Sequence, residues 1–102
     1  MKNKEFTVGN LRVTFIQNEP ITMALATYVD THKPITSGVS QCHENDTWDP
    51  MKGITVSFGM LKERIAQFRQ DFWFNHPRLL SLPPTQVIEK AFFDAFKKEL
   101  KG

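Results

Sequence analysis

With one cysteine in 102 residues, the chain cannot close an internal disulfide, and this use of thiols suits a reducing compartment. No apolar run approaches the roughly 18 residues that a membrane-spanning helix needs. The charged start, Met1-Lys2-Asn3-Lys4-Glu5, runs into alternating residues and not into the continuous apolar segment of a signal peptide. The expected location is therefore the cytoplasm, without contact to a membrane. A strong excess of either charge is missing too. Thirteen basic and eleven acidic residues leave a net charge of +2, too balanced to announce a nucleic-acid binder. Residues 62–102 are mildly basic and residues 1–61 are mildly acidic, with no polybasic tail. Gly-rich phosphate loops, paired-cysteine spacings and internal repeats are also missing.

Apolar residues make up 40% of the chain and charged residues 24%, the balance of an ordinary folded domain. A length of 102 residues predicts one domain with a modest core. Phe6 to Val8 and Leu11 to Ile16 alternate around Gly9-Asn10, which predicts a tight hairpin. Glu19-Pro20 breaks the second strand. Met23 to Val29 and Ile35 to Cys42 read as two further strands around the turn Asp30-Thr31-His32-Lys33-Pro34. In the fourth strand, Gly38 predicts a bulge or the close approach of another segment.

Asp49 followed by Pro50 is a helix start, an acceptor side chain before a residue whose missing N–H costs nothing there. Ile54, Phe58, Leu61, Ile65, Phe68 and Phe72 then recur at spacings of four and three. Gly53 and Gly59 weaken that helix by about 1 kcal/mol each unless the backbone there packs closely on the sheet. Asn75-His76-Pro77 and Ser81-Leu82-Pro83-Pro84 are breaks, and a last helix begins near Thr85. The expected fold is α+β: an antiparallel β-meander of three to four strands packed against a long helix, plus a C-terminal helix. The expected division of the single domain, 1–102, is a β-meander over 1–48, a helix over 49–74, a Pro-rich loop over 75–84 and a helix over 85–101.

Cys42 beside His43 invites comparison with a nucleophile and its base. Neighbours in a strand point to opposite faces, however, so adjacency works against a hydrogen-bonded pair. His32, His76, Asp46 and Asp49 are acceptable metal ligands, but no pair has a ligand spacing. The expectation is that Cys42, Asp46, Trp48, Asp49 and Gly53 serve a strand end, a turn and a helix cap. No catalytic residue, metal or cofactor is expected.

Nine phenylalanines are the unusual number. Phe72-Trp73-Phe74 subtends about 200° around a helix and cannot face one core, and Phe92, Phe93 and Phe96 pose a smaller version of the problem. Rings that a small domain cannot bury are characteristic of self-association or protein binding. Phe72, Trp73, Phe74 and Phe93, with Arg69 and Arg78, are the expected partner-binding residues, on a homodimer or against another protein. The alternative is a nucleic-acid-binding module using the basic helix face of Lys62, Arg64, Arg69 and Arg78.

Gly38-x3-Cys42-x3-Asp46-x-Trp48-Asp49-x3-Gly53, with Arg64 further along the helix, resembles a family of small proteins from phages and mobile elements of Gram-positive bacteria. The likeness spans about residues 5–66 and departs from the family pattern at Glu44 and Trp48. It implies a non-enzymatic accessory protein, acting in the host cytoplasm, that binds and inhibits a host protein such as a defence component.

Overall fold

A computed structural model describes the backbone of residues 4–72 and 82–101, and side chains from 4 to 68 and from 82 to 99. Four strands, β1 (Lys4–Val8), β2 (Leu11–Asn18), β3 (Ile21–Tyr28) and β4 (Pro34–Gln41), form one antiparallel sheet in the order of the sequence. Three helices follow: α1 (Pro50–Phe72), α2 (Thr85–Ala95) and the short α3 (Lys97–Lys101). This is the α+β meander that the alternation predicts. Gly9 makes the β1–β2 turn at φ +58°, a conformation open to glycine and costly to most other residues.

Most strand boundaries shift by one or two residues from expectation, and three differences matter below. β3 begins at Ile21, two residues before Met23, because Asn18 and Ile21 still pair across the Glu19-Pro20 turn. β4 ends at Gln41, so Cys42 lies just beyond it. The last helix is two pieces, since Phe96 leaves helical geometry (φ −112°, ψ 22°) while its ring is buried 5.5 Å from that of Phe15.

Both long helices pack on one face of the sheet. On the β1 side the contact is aromatic: Phe6, Phe15, Phe58, Phe92 and Phe96 form a single buried cluster. Within it the rings of Phe58 and Phe92 stack at 4.1 Å and 11°. Such pairs contribute about 0.5–1.5 kcal/mol beyond the area they bury. On the β3–β4 side the contact is made with small residues. Ala24, Ala26 and Gly38 leave room for the backbone of α1 to lie on the sheet. A Cβ on Gly38 would stand 2.5 Å from the Ser57 carbonyl oxygen and 2.7 Å from the Leu61 nitrogen. The close approach expected at Gly38 is therefore with α1. At Gly53 a Cβ would collide with the hydroxyl of buried Thr22, whereas at Gly59 it would meet nothing within 4 Å.

Candidate functional site

The sheet has two edges, and β4 is the less protected one. Its eight residues, Pro-Ile-Thr-Ser-Gly-Val-Ser-Gln, carry no charge. The register tells which backbone groups look outward. The Cys42 N–H donates to the Pro20 carbonyl at 2.7 Å and the Tyr28 N–H donates to the Lys33 carbonyl at 3.0 Å. Even-numbered residues of β3 thus face β4, and in this register Gly38 and Ser40 face back toward Ala24 and Thr22. Ser37, Val39 and Gln41 therefore point their N–H and C=O groups away from the sheet. The Ser37 carbonyl is taken by Arg64 of α1, whose Nη1 donates to it at 2.7 Å. The Ser37 N–H and the N–H and C=O groups of Val39 and Gln41 carry the rest of the edge.

Beside this edge lies a cleft of about 380 Å³ between β4, the 42–49 loop and the first half of α1. Val56 and Met60, which are 45% and 37% exposed, contribute its apolar wall with Trp48. Val39 borders it through its main chain, since Gly38 faces α1 and the Val39 side chain lies on the opposite face of the sheet. Asp46, Asp49 and Lys52 stand among the lining residues as its charged groups. Local interactions hold these parts in place. Asp49 Oδ1 accepts from the N–H groups of Met51 (3.1 Å) and Lys52 (3.4 Å), capping α1 as expected. Gln17 Nε2 donates to the Pro50 carbonyl at 2.9 Å and to Thr22 Oγ1 at 3.1 Å, tying the helix start to the sheet. Ser40 Oγ donates to the Gly53 carbonyl at 3.0 Å.

The reactive-looking residues of the loop serve the loop. The Cys42 thiol is directed at the carbonyl oxygens of His43, Asp46 and Thr47, at 3.5, 3.6 and 3.8 Å. Activated cysteines have positive charge or N–H donors at the sulfur, and these three neighbours are acceptors. The His43 ring turns the other way, with Nδ1 accepting from the Asn45 N–H at 3.2 Å. Among the described residues no group of three or more His, Cys, Asp or Glu is placed to hold a metal ion.

Of the residues expected to bind a partner, Phe93 is the one whose side chain is described. Trp73, Phe74 and Arg78 lie outside the described residues, as do the side chains of Arg69 and Phe72 in the last turns of α1. Phe93 is 48% exposed and meets Phe92 edge-to-face at 5.5 Å. Phe92 and Phe96, by contrast, belong to the core. The basic helix face is partly engaged as well: Lys62 pairs with Glu89 at 2.9 Å, and Arg64 binds the β4 edge.

Val39, Val56 and Met60 were missed from the sequence although a signal existed. Val56 and Met60 are four residues apart and lie off the stripe that runs from Ile54 to Phe68, an apolar pair on the side of α1 expected to be polar. Trp48, Asp46, Asp49 and Gly53 do fall together, around one cleft. No protein-family model, curated protein or solved structure matches this chain.

Proposed function

We propose that the protein is a non-enzymatic binding module that holds another polypeptide along β4 and the adjoining cleft. The observation that carries this reading is the coincidence of outward backbone groups at Val39 and Gln41 with the exposed apolar pair Val56 and Met60 on the adjoining flank of α1. A polypeptide added to a sheet edge gains main-chain hydrogen bonds from the strand, and neighbouring pockets select its side chains. Taken with the motif resemblance, the target is a protein of the host cell, inhibited by the capture. The nucleic-acid alternative has less support, since Lys62 and Arg64 already have partners within the fold.

Screening linear peptides from a host proteome tests the reading. A bound peptide should perturb NMR signals of residues 37–41, Val56 and Met60, and Met60→Glu should abolish binding. Perturbations confined to Phe93 and α2 would move the site to the aromatic half. Binding only to nucleic acid, lost steeply as salt rises, would replace protein capture altogether.

A further inference from the structure

We propose that, in the protein on its own, the occupant of the β4 edge is β4 of a second copy, paired antiparallel to make one continuous eight-stranded sheet. The proposal rests on reading β4 as a polypeptide-binding edge and names what fills it. Three features of the edge make it complementary to itself. The first is the main chain. With the Ser37 carbonyl held by Arg64, the Ser37 N–H and the outward groups of Val39 and Gln41 remain, and an antiparallel register sets each Val39 opposite Gln41 of the second copy.

The second feature is apolar. A twofold axis normal to the sheet places both α1 helices on the same face, side by side and antiparallel. The flanks that then approach each other carry Val56 and Met60, the exposed apolar residues of the cleft wall. The third is charge. Exposed Lys33 precedes β4 and exposed Arg64 reaches its first half at Ser37, accompanied by Asp30 and Glu63, while exposed Glu44, Asp46 and Asp49 follow its end, accompanied by Lys52 and His43. Antiparallel pairing sets Lys33 and Arg64 of one copy beside the acidic end of the other, whereas parallel pairing would set the two acidic ends together. A host strand and a second copy would compete for this edge.

Sedimentation or light scattering over a dilution series, joined to amide hydrogen exchange, tests the proposal. The expected mass is twice the 11.8 kDa of the chain, falling toward the monomer on dilution as the Val39 and Gln41 amides lose protection. Val39→Lys should raise the dissociation constant by about tenfold or more with an unchanged circular dichroism spectrum. Val39→Thr and Phe93→Ala should leave it in place. A monomer at every concentration overturns the proposal and leaves the edge reading to the peptide screen. A dimer whose Val39 and Gln41 amides exchange freely, or one broken by Phe93→Ala and not by Val39→Lys, also overturns it.

Discussion

The two edges of the sheet are finished in opposite ways. β1 has five residues, two of them charged (Lys4 and Glu5), and α2 packs against it through the aromatic cluster. β4 has eight uncharged residues, and beyond the single bond from Arg64 its outward side faces a cleft. Short strands, charges and covering helices are how proteins keep edges from pairing with other chains. A short strand and charges stand at β1, whereas β4 has helix α1 on one face, Pro34 at its start and the single bond from Arg64, with no charge along its length. The difference teaches that the described cluster of phenylalanines and the proposed interaction surface belong to different sides of the molecule. Rings were spent on closing the β1 side, and small residues brought α1 onto β4 while leaving the edge itself bare.

The contrast can be broken most forcefully from the β1 side. Phe92→Ala removes a ring that touches Phe6, Phe15, Phe58 and Phe96, and it should cost about 3–5 kcal/mol of unfolding free energy in a urea titration. A loss below 1 kcal/mol would show that the cluster does not hold the fold. Gly38→Ala strikes the β4 side next. Its Cβ must displace backbone atoms of α1, and a loss of about 1–3 kcal/mol is expected in the same titration. Fully retained stability would mean that α1 does not lie on β4 as described. Asp49→Ala should cost about 1 kcal/mol through loss of the cap, while Asp49→Asn should restore most of it.

The smallest effects are the sharpest tests of the comparison. Gly59→Ala should stabilise the monomeric unit by up to about 1 kcal/mol, because an added Cβ meets nothing and helix propensity improves. Destabilisation would reveal a close neighbour there. Val39→Lys should change the intrinsic stability by less than about 0.5 kcal/mol, since the position is on the surface. A core-sized loss would contradict its exposure and, with it, the bare edge.

Much of this architecture was legible because it is local. The alternation of Phe6, Leu11, Val13 and Phe15, the Gly9 turn, the Asp49-Pro50 start and the Ile54 to Ile65 stripe each depend on residues a few positions apart. The candidate site was half legible. Cys42, Asp46, Asp49 and Gly53 could be read as strand end, turn and cap, because their partners are mostly near in sequence. The wall formed by Val56 and Met60 was legible only as an apolar pair off the core stripe, since the cleft itself exists only when α1 lies along β4. The sequence also tells Phe92 from Phe93: helical spacing puts Phe92 on the apolar face of the last helix and Phe93 on its flank, and Phe92 is enclosed while Phe93 is exposed.

The sequence by itself determined the strands, the turns and the start of α1, since hydrophobic period, glycine conformation and capping act over a few residues. It also determined that the 38–53 segment would be a structural joint, with a thiol and an imidazole that do not pair. Tertiary structure alone decided that this joint opens into a cleft. The physical reason is the close contact at Gly38 and Gly53, where missing side chains let a helix backbone settle on the sheet and carry Val56 and Met60 to an unguarded edge. Which backbone groups stay open follows from that packing, and no local pattern encodes it.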